Sequence, residues 1–285
     1  MMKVMNMRFK RIYVEITNEC NLHCSFCAQS TKPIRAMSLD EFRHICSQIR
    51  PYTDYIYLHI QGEPLLHPEF DQMIEIASSY TLSIQLVTNG TMLSHKREIL
   101  CKYPAIRQIS ISLQSLATSG RLKSREFREQ IISDARQLAQ CGRYVQFRLW
   151  TYKKEEMTSE LVDFFSEIGI DDLEKIYHRG RRYTIEDGLY ISLDEEFKWP
   201  NIESLKYTDR GVCYGTKTMM GILSDGTVVP CCLDYNGVID FGNIFTDSFE
   251  SMISSERFIR MNQGLLQNKL TEPLCQHCGY RTRFD

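Results

Sequence analysis

Three cysteines packed into one short stretch, Cys20, Cys24 and Cys27, constrain this chain more than any other feature. They follow Arg11 to Thr17, where Ile12, Val14 and Ile16 alternate with Tyr13, Glu15 and Thr17. Such alternation predicts a β-strand that hands over to a cysteine loop. Iron–sulfur clusters normally take four cysteine thiolates. Three thiolates at C-x3-C-x2-C spacing hold three irons and leave the fourth without a protein ligand, open to a substrate or a cofactor. A zinc site is the competing reading of the same spacing.

The remaining cysteines bear on the same question. The chain has 285 residues and 11 cysteines, an odd number, several of them at x2 or x3 spacing, and its first ten residues lack the apolar core of a secretion signal. That pattern argues for metal or cluster ligation in a reducing compartment and against a disulfide framework, so a cytoplasmic location is expected. With 43% hydrophobic and 25% charged residues, the composition is that of a globular chain long enough to bury a real core. A formal net charge of −2 leaves no electrostatic footprint for nucleic acid or an anionic membrane surface. No apolar run approaches the ~20 residues of a spanning helix. Neither nucleic acid nor membrane is expected as a partner.

Strand-like and helix-like segments alternate through the first half. After the strand at Ile12 to Thr17, Ser38 and Glu41 form a capping-box pattern that predicts a helix start. Strands follow at Tyr55 to Gln61, Ser83 to Val87, Arg107 to Gln114 and Tyr144 to Trp150, with a sixth expected within Leu173 to His178. Helices are expected around Phe70 to Tyr80, Phe127 to Gln140 and Ser159 to Ile168. This alternation predicts parallel strands joined by crossover helices. The strands are not uniformly apolar. Ile56, Leu58 and Ile60 should face the helices and Tyr57, His59 and Gln61 the other side; Ile109, Ile111 and Leu113 oppose Gln108, Ser110, Ser112 and Gln114; Phe147 and Leu149 oppose Gln146, Arg148 and Trp150. A closed TIM barrel fills its interior with branched apolar side chains. A shared polar face predicts instead a partial (β/α)6 TIM-like barrel, an α/β fold with a wet lumen, the competing reading being a merely solvated sheet face. A change of pattern near residue 180 divides the chain into residues 1–180 and residues 181–285. The second part holds Cys213, Cys231, Cys232, Cys275 and Cys278, a β-hairpin over Ile222 to Val229 turning at Asp225-Gly226, and a helix around Ser248 to Gln263.

In this order the motifs resemble the radical S-adenosylmethionine (SAM) superfamily. The cysteine loop carries an aromatic, Phe26, before its third cysteine; Gln61-Gly62-Glu63-Pro64 stands where that family has Gly-Gly-Glu-Pro; Thr88-Asn89-Gly90 ends the third strand; Ser110 to Ser115 resembles the fourth-strand contacts. The resemblance covers most of the chain. It implies that Cys20, Cys24 and Cys27 hold a [4Fe–4S] cluster whose open iron binds SAM, and that electron transfer yields a 5′-deoxyadenosyl radical. It further implies SAM contacts by Phe26, Gly62, Glu63, Pro64, Thr88, Asn89, Ser112 and Gln114, with an external electron donor such as flavodoxin or ferredoxin. Gln61 departs from the family glycine.

The second cysteine set resembles the C-terminal SPASM extension, or its shorter twitch form. Five cysteines are too few for two further clusters, so the resemblance implies one auxiliary [4Fe–4S] cluster on Cys213, Cys231, Cys275 and Cys278. Neighbours on a strand face opposite ways, so only one of Cys231 and Cys232 should point inward; the resemblance implies Cys231, which directly follows Pro230. Zinc on the same four cysteines is the alternative. Cys46, Cys101 and Cys141 read as buried thiols. The expected function is a radical SAM oxidoreductase dehydrogenating a small polar substrate such as a sugar or aminoglycoside precursor. Tyr57, His59, Arg148, Trp150 and Tyr177 suit its hydroxyl or phosphate groups, and Arg179 and Arg181 an anionic one. The alternatives are an epimerase or crosslinking maturase acting on a ribosomal peptide, and an electron-transfer or zinc-binding protein.

Overall fold

In the computed structural model, residues 7–28, 30–153, 157–173, 177 and 182–284 are described. Strand β1, Arg11–Val14, buries Ile12 and Val14 completely. Its pleat sends Arg11 and Tyr13 to the opposite face. A parallel run continues through β2 (Tyr55–Tyr57), β3 (Ser83–Thr88), β4 (Ile106–Ser112) and β5 (Tyr144–Leu149). The next parallel partner of β5 is not the segment Leu173 to His178, most of which lies outside the described residues. It is β7, Leu189–Leu193, which also pairs antiparallel with β6, Arg182–Glu186. On the other side β1 pairs in parallel with β8, Met219–Ile222, and β8 turns back antiparallel into β9, Val228–Val229. Among the described residues these nine strands form one open sheet in the order β6-β7-β5-β4-β3-β2-β1-β8-β9.

Helices cover one face. Helix α1, Leu39–Ile49, starts on the expected capping box: Ser38 Oγ accepts from Glu41 N, and Glu41 Oε2 accepts from Ser38 N at 2.8 Å. Helices α2 (Phe70–Ser79), α3 (Leu93–Lys102), α5 (Arg125–Gln140) and α6 (Ser159–Glu167) follow, α4 being the short Leu113–Thr118. Their apolar residues meet Ile56, Leu58, Ile109, Ile111, Phe147 and Leu149 in the main core. Burial of this kind stabilises by ~25 cal/mol per Å² of apolar surface. Among the described residues no helix is long and apolar enough to cross a membrane.

Four expectations need correction. The fourth strand stops at Ser112, and Gln114 lies in the first turn of α4. Strand β2 ends at Tyr57, so its alternation does not run on, and Ile60 packs with Tyr13, Leu223 and Val229 on the lumen side. The single helix expected over Ser248 to Gln263 is two, α7 (Phe249–Ile253) and α8 (Glu256–Leu266), because Ser255 caps a new start by accepting from Phe258 N. Cys101 and Cys141 are joined as a disulfide rather than standing as thiols; α3 and α5 bring their Cα atoms to 5.5 Å. Cys46 is a fully buried thiol.

Candidate iron–sulfur and cofactor site

The concave face of the sheet encloses a cavity of about 760 Å³. Both cysteine sets line it, together with Gln108, Ser110, Ser112, Gln114, Gln146 and Arg148 from the polar strand faces. The first set sits on the loop after β1. This loop is fixed at its ends: Met37 N donates to Ile16 O at 2.8 Å, and Arg35 N donates to Asn18 Oδ1 at 2.8 Å. It is also docked on the C-terminal part of the chain. Ser30 Oγ meets Asn236 Oδ1 at 3.0 Å, Lys32 pairs with Asp225, Arg35 donates to Ser224 O at 2.6 Å, and Trp199 Nε1 donates to Phe26 O at 2.8 Å.

Two donors already point at the Cys20 sulfur, Leu22 N at 3.4 Å and Asn89 Nδ2 at 3.7 Å. Burial pushes the Cys27 thiol up to about 11, and the sulfurs of Cys24 and Cys20 push the same way. Burial raises the Cys20 and Cys24 thiols as well, and three thiols held protonated by burial suit a cationic iron cluster, which would draw off their protons. Gln61 adds an orphaned donor. Its Oε1 lies 3.5 Å from Cys27 Sγ, while its buried Nε2 has no hydrogen-bond partner. A free amide N–H on the side chain that meets Cys27 Sγ fits the sulfides of a cluster or a carboxylate bound to it.

The strand-end motifs converge on Glu63. Its Oε1 accepts from Leu65 N at 3.0 Å and Thr88 Oγ1 at 2.8 Å, and its Oε2 accepts from Asn89 N at 2.6 Å. Burial raises this carboxyl to about 7 despite those donors. A carboxylate offers about four acceptor positions, so one on Oε2 is left for an ammonium. Gly62, at φ +78°, brings the backbone against the cysteine loop: a Cβ there would stand 2.4 Å from Thr17 O and 2.8 Å from Glu19 O. Thr88 and Asn89 line the cavity, but their side chains are partly engaged in tying Glu63 and the Cys20 loop together. Pro64 opens a short 3-10 turn behind Glu63.

The second set is brought together by the turn before β8, the end of the β8–β9 hairpin and helix α9, Pro273–Gln276. Burial pushes the Cys231 thiol well up, and the sulfurs of Cys232, Cys213, Cys275 and Cys278 add to it. Gly215 N donates to Cys213 Sγ at 3.4 Å, and Gly215 lies against both Cys213 and Cys231. Cys232 turns away, into the apolar group of Tyr13, Tyr57, Ile60 and Met219. The reason differs from strand alternation, since both cysteines lie beyond β9 in a turn. Four sulfurs and no open position fit an auxiliary cluster held entirely by protein.

Of the other candidates, Tyr57, His59, Arg148 and Trp150 line the cavity. The rings of His59, Tyr13 and Tyr57 pack together at 4.6–5.8 Å. Burial and Arg148 push His59 down to about 3, so its imidazole is neutral. Tyr177 stands apart, against the Tyr152 ring with its hydroxyl 3.1 Å from Glu195, and is not among the cavity-lining residues. Arg179 and Arg181 lie outside the described residues. The sequence reading missed Arg11 and Tyr13, although the alternation of β1 marks them as facing away from Ile12 and Val14. It also missed Tyr280, which reaches the cavity from a C-terminal turn that carries no periodic signal.

Comparison with known proteins agrees with this geometry. A model described as the radical SAM superfamily matches residues 14–156, just over half of the chain. A second, SPASM, described as an iron–sulfur cluster-binding domain, matches residues 213–279. The chain is 24% identical to the tungsten-containing aldehyde ferredoxin oxidoreductase cofactor-modifying protein of Pyrococcus furiosus, over 97% of this chain and 89% of that protein. It is 24% identical to the sporulation killing factor maturation protein SkfB of Bacillus subtilis, over 87% of this chain and 65% of that protein. It spans only 29% of the AdoMet-dependent heme synthase of Methanosarcina barkeri, at 26% identity over 35% of this chain. The crystal structure of BtrN in complex with AdoMet and 2-DOIA shares the fold, with a TM-score of 0.62 and 16% identity over 95% of this chain and 92% of that one.

Proposed function

The chain belongs to the radical SAM superfamily and carries a SPASM domain, and from that premise we propose that it is an oxidoreductase that dehydrogenates a small polar molecule held in the cavity. The observation that carries this reading is that one cavity is lined by the three-cysteine loop, by the four-cysteine set and by the polar strand faces between them. Cys20, Cys24 and Cys27 hold the first cluster, and Cys213, Cys231, Cys275 and Cys278 the auxiliary one. Reduced by an external donor such as flavodoxin or ferredoxin, the first cluster with SAM supplies a 5′-deoxyadenosyl radical that takes a hydrogen atom. The protein's part is positioning. Glu63 offers its remaining lone pair to the ammonium of SAM, and Gly62 permits close backbone approach. Ser112 and Gln114 offer polar contacts from the ends of β4 and α4. An auxiliary cluster held by four cysteines would have no open iron for substrate, which suits it to accept the second electron as the substrate also loses a proton.

A second reading, modification of a ribosomal peptide, is favoured by the likeness to the sporulation killing factor maturation protein. The two are separated by anaerobic turnover in deuterated water. Dehydrogenation gives a product two hydrogens lighter, without solvent deuterium at the attacked carbon. A modified peptide would overturn the small-molecule dehydrogenase assignment, whether epimerised at unchanged hydrogen count with one deuterium or crosslinked and two hydrogens lighter.

A further inference from the structure

Most buried or half-buried arginines of this fold are answered. Arg128 pairs with Glu167, Arg257 with Glu272 and Arg283 with Asp194, and Arg143 donates to the Leu100 and Cys101 carbonyls. Two arginines in the cavity have no carboxylate partner among the described residues, although Arg11 meets the Tyr57 hydroxyl. Arg148, on β5, lies over the Trp150 indole with its Cζ 3.5 Å from the ring centroid. Arg11, on β1, lies 5.8 Å from the Tyr57 ring centroid. The Nε atom of each is buried with no hydrogen-bond partner. Among the described residues neither forms an ion pair. The titratable groups facing Arg148 include Tyr13, Tyr57, Tyr280, Cys232 and His59, and Arg11 faces Tyr13, Tyr57 and Cys232.

Enclosing a guanidinium without a counter-charge is costly. A fold that answers most of its buried arginines tolerates two such groups where something else brings the charge. The neighbours point the same way. Trp150 Nε1 is a buried donor without an acceptor, and His59 Nδ1 is buried and unpartnered beside Arg148. The Trp150 ring supports the Arg148 guanidinium, whose planar fork reads a carboxylate or phosphate through two oxygens. No acidic side chain competes among these groups.

We infer that the region of the cavity bounded by Arg148, Trp150, His59, Tyr57 and Arg11 binds an oxyanion of the substrate, a carboxylate or a phosphate, with Arg148 as the principal contact and Arg11 as the second cation. The inference rests on the cavity being the substrate chamber, and it narrows the substrate from a polar molecule to an anionic one. It assigns these residues to substrate and not to SAM.

The test is anaerobic titration calorimetry of the reconstituted, SAM-saturated protein with inorganic phosphate and with malonate, against potassium chloride at equal ionic strength. Saturable binding of at least one anion is expected. It weakens tenfold or more in R148M and in R11M, and less in R148K and R11K, which keep the charge and lose the fork. Iron content and 5′-deoxyadenosine release from SAM without substrate are measured on every variant. They report whether the cluster site is intact, so that failure of the radical SAM reading is visible separately. Preference for phosphate identifies a phosphorylated substrate, and preference for malonate a carboxylated one. The proposal is overturned by the absence of saturable binding in an iron-replete wild type, by binding that R148M and R11M leave unchanged, or by phosphate or malonate displacing SAM.

Discussion

The contact between Gly62 and the cysteine loop sets a quantitative test. At φ +78° a side chain costs ~1–2 kcal/mol in backbone strain alone. In G62A the added Cβ also meets Thr17 O at 2.4 Å, Glu19 O at 2.8 Å and Asn18 C at 2.9 Å, all backbone. None can swing aside as a side-chain end would, and Glu19 O is held by a 2.8 Å bond from Glu63 N. Overpacking of this kind costs ~1–3 kcal/mol, giving a total of ~2–5 kcal/mol. Gly142 is the matched control, with the same φ of +78° and nothing within 4 Å of its Cβ position, so G142A loses only the ~1–2 kcal/mol of strain. Urea unfolding measures both losses, and iron content after reconstitution reports on the loop. G62A should be the less stable by ~1–3 kcal/mol and should hold less iron on the first cluster. If G62A matches G142A in stability and binds a full complement of iron, Gly62 does not brace the cysteine loop and the argument fails.

Three further outcomes follow from named groups. C231A should lose the iron of the auxiliary cluster, roughly half of the ~8 expected for two four-iron clusters, whereas C232A should retain it; iron and sulfide analysis decides, and the reverse result would reassign the ligand. The buried carboxylate of Glu15 accepts from Gln61 N at 2.9 Å and Ser224 N at 3.0 Å, so E15A leaves two buried donors unpaired and should cost ~2–6 kcal/mol in urea unfolding. Burial also raises the Glu15 carboxyl above its ordinary value of 4.5. The native chain therefore holds that proton more tightly than the unfolded one, stability falls as pH rises from 4.5 through the raised value, and E15Q should flatten that decline. Reducing Cys101–Cys141, which closes a loop spanning 40 positions, should lower stability by up to ~4 kcal/mol, with thiol titration gaining two groups; an unchanged thiol count would show that the pair is not bonded in solution.

Much of this site is written in local sequence because its parts fall at strand ends. Alternation in Ile109 to Gln114 and Phe147 to Trp150 separates core from lumen residue by residue, since a strand turns each neighbour to the opposite face. It misleads at Ile60, where β2 has already ended; Gln114 still lines the cavity, although α4 and not β4 carries it. The sixth parallel strand was misplaced because β7 is reached through a tight antiparallel turn with β6, not directly from a helix, so strand–helix alternation gives no cue for it. The disulfide was illegible for another reason. Cys101 and Cys141 sit at the C-terminal ends of two helices, and only the packing of α3 against α5 brings them together. Arg11 is the instructive omission: β1 places it on the lumen face, but an arginine at the start of a strand reads as a solvated end until the cavity is seen around it.

The Cys20, Cys24 and Cys27 loop, with Glu63 beside it, is proposed to hold the cluster at which SAM is cleaved. The most direct test is the yield of 5′-deoxyadenosine from SAM when the reconstituted protein is reduced with dithionite under anaerobic conditions. The account predicts 5′-deoxyadenosine and methionine in equal amounts from the wild type and none from C24A. A wild type carrying its full iron that forms no 5′-deoxyadenosine would contradict it.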